Sequence, residues 1–156
     1  MALTYAPNCS LLVNNTGGAV QSLPDERVGG KPREFVEVVT FAGQAVGDQI
    51  MVARLPYGSV PLGVTFNASA SAGASTIAIG DKNNVSRFAA AGTFTSTDTP
   101  TRKMTAATHG IPLTTCYDNA GVSNTNYEDI LLTIGVSSLP SSGSLVVVTE
   151  YLSYSS

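Results

Sequence analysis

Residues 127–135 read YEDILLTIG and residues 144–154 read SLVVVTEYLSY, and these two stretches decide the fold class. Their Val, Ile, Leu and Tyr side chains are typical of β-strands. In the second stretch apolar residues occupy both alternating sets of positions, so we expect a central strand. The two sets are Leu145, Val147 and Thr149 on one face and Val146, Val148 and Glu150 on the other. We expect the two strands to pair with each other across the linking residues 136–143.

Short strand-like stretches recur along the rest of the chain between regularly spaced Gly and Pro residues. The chain has 15 Gly and 8 Pro, and the longest interval without either is 13 residues, which nearly excludes long helices. Repeated short strands of this kind predict an all-β sandwich or barrel. The predicted upstream strands lie at residues 33–41, 48–55, 60–68, 75–79 and 113–117.

Three places in this pattern leave a choice open. The alternation of the first predicted upstream strand is lost at Val38-Val39, as in a bulge or in a strand covered on both faces. Pro61 removes a ladder donor from the third and therefore favours an edge strand or a bulge. Residues 83–91 fit a helix and a strand equally well.

The beginning of the chain differs from the rest because it shows no sustained period. It contains Gly17-Gly18, Gly29-Gly30 and three prolines. We expect residues 1–32 to form an extended arm with at most one short strand, at residues 10–13, and residues 33–156 to form one β-sandwich domain. A length of 156 residues suits a single core.

Composition excludes several classes of partner. The 17 Ser and 17 Thr outnumber the eight basic and eleven acidic residues, and the net charge is −3, so there is no overall field to attract phosphate backbones. No stretch approaches the ~20 apolar residues that cross a bilayer, and the first residues lack the order of a secretory signal. We expect a soluble protein with a neutral, hydroxyl-rich surface and neither a nucleic-acid nor a membrane partner.

The residues that usually carry catalysis are scarce. His109 is the single histidine and lies in a turn-like setting, which excludes a histidine-rich metal barrel. No Gly-x-Ser-x-Gly motif is present. Asp48 and Asp81 each follow a glycine, which predicts turns whose carboxylates cap backbone amides. The sequence therefore predicts no enzyme, no catalytic residue, no cofactor and no metal site.

One oxygen-rich stretch keeps a calcium site open as an alternative. Residues 118–129 offer Asp118, Asn119, Asn124, Asn126, Glu128 and Asp129. Carboxylate and amide oxygens are the ligands that calcium prefers, but the EF-hand spacing is absent. A loop ahead of a strand is the favoured interpretation. Cys9 and Cys116 are too few for a disulfide framework, and we expect free thiols, with a single bridge as the alternative.

The middle and the end of the chain resemble small virion proteins of tailed bacteriophages. The resemblance rests on GDQIMVARLPYG at 47–58, STIAIGD at 75–81, RFAAA at 87–91 and the segments ILLTIG and LPSSGSLVVVTEY at 130–135 and 139–151. In it the chain is similar to head decoration, or cement, proteins. This resemblance implies a jelly-roll-like β-sandwich, a homotrimer, and an arm that reaches across neighbouring subunits of the major capsid protein.

Several functions are compatible with these observations. The first is a virion protein, made in the host bacterial cytoplasm, that binds the major capsid protein on the capsid exterior and stabilises the shell. The second is a carbohydrate-binding β-sandwich module, for which six Tyr and five Phe supply candidate stacking surfaces. A phage tail or adaptor component is the third, and a small hydrolase is the fourth.

Overall fold

The computed structural model describes the backbone of residues 3–5 and all atoms of residues 32–104 and 108–153. The described residues form eleven strands and no helix. The strands are β1 (Leu3–Tyr5), β2 (Pro32–Thr40), β3 (Gln49–Pro56), β4 (Val60–Ala68), β5 (Thr76–Gly80), β6 (Ala89–Thr93), β7 (Thr101–Lys103), β8 (Cys116–Tyr117), β9 (Ser123–Asn124), β10 (Tyr127–Gly135) and β11 (Ser144–Leu152). The fold is therefore all-β, as the sequence predicts.

Two sheets share the long strands. One, called sheet A here, has the order β1-β3-β10-β5-β6, and the other, sheet B, has the order β2-β11-β4-β7. Successive long strands mostly change sheet, and all pairings among β2 to β7, β10 and β11 are antiparallel. Eight strands connected in this way form a jelly roll, which confirms the predicted fold class.

The core lies between the two sheets. The inner positions of β11, Leu145 and Val147, are fully buried, and Phe66 of β4 packs edge-to-face on Phe94 with ring centroids 5.7 Å apart. From sheet A, Ile130 and Leu132 join them. Burial alternates along all nine residues of β11, so the two predicted faces of this strand are confirmed.

The predicted pairing of the last two strands is wrong. β10 lies in sheet A between β3 and β5, whereas β11 lies in sheet B between β2 and β4. Both are central strands, as their apolar residues indicate. The linking residues 136–143 cross from one sheet to the other and therefore do not form a hairpin.

The ambiguous segments are also settled. Val38 faces outward at 45% exposure, and the register between β2 and β11 is continuous, so neither a bulge nor a covered strand explains Val38-Val39. Pro61 does lie at a register shift between β4 and β11, which confirms a bulge. Residues 83–91 are a loop that runs into β6. The strand predicted at 113–117 is reduced to the two residues of β8.

The predicted arm falls largely outside the described residues, including the short strand predicted at 10–13. Its residues 3–5 form β1, which pairs in parallel with the beginning of β3 at the edge of sheet A. The boundary between residues 32 and 33 stays a prediction, and β2 begins at Pro32. The described residues contain no helix that is long and apolar enough to span a membrane.

Candidate functional site

A buried charged cluster joins three segments at one end of the sandwich, where β5 ends and β10 begins. Arg87 Nη1 donates to Asp81 Oδ2 at 3.0 Å and to Glu128 Oε1 at 2.9 Å. Arg87 Nη2 donates to the carbonyl oxygen of Thr115 at 2.7 Å. The two carboxylates are 1% and 0% exposed. One guanidinium thus holds the β5–β6 loop, the segment before β8 and β10 together.

Local sequence explains why the β5–β6 loop folds back onto its strand. Asp81 Oδ1 accepts hydrogen bonds from the backbone amides of Asn83 and Asn84, both at 2.7 Å, as an aspartate does at a tight turn. The preceding residue must be glycine, because a Cβ at Gly80 would overlap the carbonyl oxygen of Asn84. The predicted role of Asp81 as a turn cap is confirmed.

Glu128 is the most perturbed acid of the cluster. Burial raises its pKa to about 8, although the Tyr117 amide, which donates to Oε2 at 2.6 Å, and Arg87 favour the charged form. The Asp81 carboxylate, which shares the Arg87 guanidinium, adds to the effect of burial on the pKa of Glu128 and so favours its protonated form. Burial, and next the Glu128 carboxylate, raise the pKa of the Cys116 thiol to about 12. Such a thiol stays protonated and unreactive.

A second ion pair lies on β3 and β10. Arg54 Nε and Nη2 donate to the two oxygens of Asp129 at 2.6 and 2.8 Å, and the backbone amide of Asn119 donates to Asp129 Oδ2 at 2.9 Å. The Arg54 guanidinium stacks on the Tyr127 ring, 3.8 Å from its centroid. Burial raises the pKa of Asp129 against the effect of Arg54. This pair fastens the loop before β9 to sheet A.

The oxygen-rich stretch uses its oxygens to shape the backbone. Asp118 Oδ1 accepts from the amides of Ala120 and Val122, at 2.9 and 2.8 Å. Asn124 Oδ1 accepts from the amides of two following residues. Within residues 32–104 and 108–153, no group of three His, Cys, Asp or Glu is arranged to hold a metal ion. The geometry is that of a loop ahead of a strand.

The remaining candidates are dispersed. His109 is exposed in a turn whose Gly110 amide donates to the carbonyl oxygen of Pro61. Asp48 Oδ2 accepts from the Ala45 amide at 2.9 Å, so it caps a turn as predicted. It precedes β3, whereas Asp81 follows β5, and the register places them at different levels of sheet A with β10 between the two strands. The two carboxylates are therefore not brought together as a catalytic pair.

Cys116 is a free, buried thiol, and Cys9 lies outside the described residues.

The described tyrosines offer little for stacking on a sugar. Tyr151 is buried at 3% exposure, and Arg54 covers one face of the Tyr127 ring. Tyr57 is 42% exposed. A sugar platform needs an open aromatic face, and a single exposed ring gives weak support to that hypothesis.

An apolar surface lies on the outer face of sheet B. Val36 and Val38 are 46% and 45% exposed there. Their direct partners on β11 are Val148 and Val146, which are half-buried. We call these four residues the valine face. Contiguous exposed apolar residues mark an interaction surface more often than a free one.

The whole-chain fold is shared with two solved phage structures. A chain of the Cyanophage Pam1 capsid asymmetric unit is 23% identical, with a TM-score of 0.58 over 88% of this chain and 96% of that chain. A chain of the capsid of Ralstonia phage GP4 is 16% identical, with a TM-score of 0.62 over 99% and 100%. This chain has the fold of those capsid chains. No family model and no curated protein matches it.

Sequence reasoning missed both arginines of the buried clusters. Glu128 and Asp129 were assigned to a calcium alternative, whereas each is paired with an arginine distant in sequence. The available signal was two adjacent carboxylates at the start of an otherwise apolar strand, since buried carboxylates require partners. Arg54 lies within a predicted strand and Arg87 within the ambiguous 83–91, so neither position indicated a partner.

Proposed function

We propose that this chain is a non-enzymatic virion protein that decorates and stabilises a bacteriophage capsid. It would bind the major capsid protein on the exterior of the shell as a homotrimer, after synthesis in the host bacterial cytoplasm. The observation that carries the proposal is the likeness of fold to two phage capsid chains along almost their whole length, 96% and 100% of each. Each of those chains is thus about as long as this one.

The chemistry of the clusters supports a structural role. The guanidinium groups of Arg87 and Arg54 are bonded to buried carboxylates, and that of Arg87 also to a backbone carbonyl oxygen, so they hold loops rather than face a substrate. The thiol of Cys116 is kept protonated. Such a site gives rigidity and offers no activated nucleophile.

The surface supports attachment by shape and hydrogen bonding. The valine face is flanked on β4 by the neutral Thr65 and Asn67, which pair with Val148 and Val146. At the end where β2 begins it is bordered by Glu34 and by Glu150, which is paired with Arg102 at 2.6 Å. The valines and the hydroxyl and amide groups beside them on β4 pack against another protein without the cost of desolvating charge, whereas the charged groups at one end suit the rim of a contact. Many copies on one shell provide avidity, and a ligand that binds the assembled shell alone stabilises it by mass action.

Sedimentation with purified shells tests the proposal. We expect the full chain to sediment with bare shells, with an affinity that changes little between low and high salt, and to raise their resistance to heat or osmotic shock. A chain lacking residues 1–31 should bind shells more weakly than the full chain does. This loss of attachment should exceed the loss of the chain's own folding stability. A chain that neither attaches nor protects would contradict the proposal, and binding to tails or to a glycan array would then favour the alternatives.

The valine face gives a sharper version of the same assay. Replacing Val36 and Val38 by Ser removes exposed apolar area from the valine face, and both positions can remain in strand β2. We expect attachment to fall at least tenfold with little change in melting. Val122→Ser is the matched control, because Val122 is 60% exposed but lies far from sheet B, before β9. If both variants weaken attachment equally, the valine face is not part of the contact with the shell.

A further inference from the structure

The edge of sheet A at the beginning of β3 is covered by the short strand β1, which in this structure comes from the same chain. β1 pairs in parallel with β3 through Leu3 opposite Gln49, Thr4 opposite Ile50 and Tyr5 opposite Met51. β1 is the outermost strand, so β3 is its one neighbour in the sheet. Three residue pairs hold it, and the next described residue of the chain is Pro32. Such an edge accepts an added strand through main-chain bonds alone.

The segment that links β1 to β2 is long enough for β1 to pair with β3 of the same copy or with β3 of another copy. Pro32 pairs with Leu152, and Leu152 pairs with Val60, which begins β4 just after β3 ends. Pro32 therefore lies in the other sheet, at the level of the far end of β3. From strand and sheet spacings the distance from Tyr5 is about 20 Å. The 26 residues from 6 to 31 reach about 85 Å when extended. The connection is thus several times longer than pairing within one copy requires.

The surface beside this edge is apolar and exposed. Val46 is 56% exposed and Val136 is 75% exposed. Each lies three residues from the pair formed by Gln49 and Thr133, and the Gly47 amide donates to the carbonyl oxygen of Ile134 at 2.8 Å. Val46 precedes β3 and Val136 follows β10, so both valines lie at the end of sheet A where β1 begins its pairing, with β3 between β1 and β10.

Val136 is also held in an unfavourable backbone conformation. Its φ is +65°, and the Ser137 amide donates to the Gly135 carbonyl oxygen at 2.8 Å, which closes a γ-turn around it. A β-branched residue rarely adopts positive φ, and this form of γ-turn is strained. Gly or Asn would fit the turn better, yet the position presents a large apolar side chain to solvent. Strain of this kind points to a functional contact.

We propose that this edge is an interface between copies of the chain, in which β1 of one copy pairs with β3 of the next. Val46 and Val136 then pack against the neighbouring copy beside the exchanged strand. The contact is heterologous, since the strand and its acceptor edge are different surfaces. Exchange also covers an edge that would otherwise invite uncontrolled pairing. This inference concerns contacts between copies and does not depend on capsid binding.

A paired-cysteine experiment distinguishes the two origins of β1. In a Cys9→Ser background, Leu3→Cys and Gln49→Cys are placed in one chain, which is then oxidised gently. We expect disulfide-linked multimers on a non-reducing gel, and a linked heterodimer when the two substitutions are on separate, co-expressed chains. A disulfide within one chain, running as a monomer, would overturn the proposal.

Two further measurements do not depend on disulfide formation. A chain lacking residues 1–5 should sediment as a smaller species than the full chain at micromolar concentration. If both sediment alike, or if the full chain is a monomer, exchange does not occur. Val136→Asn should weaken association at least tenfold without lowering the melting temperature, because Asn tolerates positive φ. The matched control is Val122→Asn, and equal weakening by both would overturn the role of Val136.

Discussion

Glu128→Gln should abolish most of the pH dependence of folding stability. Burial raises the pKa of Glu128 from 4.5 to about 8, so between these values the folded chain holds a proton that the unfolded chain has released. The free energy of unfolding therefore falls as pH rises from about 4.5 to about 8, and this contribution is fully present below 4.5. At about 1.36 kcal/mol per pH unit, the difference corresponds to at most about 5 kcal/mol.

The cluster around Glu128 sets the size of the observable effect. Arg87 lowers and Asp81 raises the pKa of Glu128 beside the larger effect of burial, so we expect a loss of about 2–5 kcal/mol across this range. Urea unfolding at pH 5, 6.5 and 8 measures it. Glu34→Gln is the control, because Glu34 is an exposed carboxylate on β2, and it should leave the slope unchanged. Stability that is flat or rises from pH 5 to pH 8 in the parent chain would refute the reasoning.

Three other predictions concern the core and the second ion pair. Val147→Asp should abolish soluble expression, since Val147 is 0% exposed and its burial contributes roughly 1.5–3 kcal/mol; Val38→Asp, on the outer face, should stay soluble. Arg54→Ala should cost about 3–5 kcal/mol in urea unfolding, because it leaves the Asp129 carboxylate buried without its bidentate partner, and a loss below about 1 kcal/mol would contradict this. Reductant should leave the melting temperature unchanged, because Cys116 is a free thiol, and a mass about two units below that of the reduced chain would indicate a bridge instead.

Strand positions could be predicted from sequence where alternation and punctuation agree. β4 and β10 begin and end at the predicted residues, 60–68 and 127–135. Partners could not be predicted in the same way, because alternation reports which faces of a strand are covered and not which strand lies beside it. That is why β11 was identified as a central strand and yet assigned β10 as its partner.

The candidate site shows the same limit. Asp48 and Asp81 were predicted as turn caps from the glycine that precedes each one, because that signal is local. The pairing of Arg54 with Asp129 and of Arg87 with Glu128 joins residues 75 and 41 positions apart, which only the folded sheet brings together. The sequence shows a broken alternation at the valines of β2. It does not show that they are exposed, because their exposure depends on which face of the strand the other sheet covers.

The central place of β11 in sheet B has a consequence for the order of events during synthesis. β2 and β4 are made early, yet they never touch as neighbours, because the strand that joins them along 32–40 and 60–68 is made after residue 143. Sheet B thus cannot assemble on the ribosome before almost the entire chain has emerged. Long-range pairing of this kind folds slowly. A product that stops before β11 has two unmatched strand edges and is a substrate for proteases rather than a competent subunit.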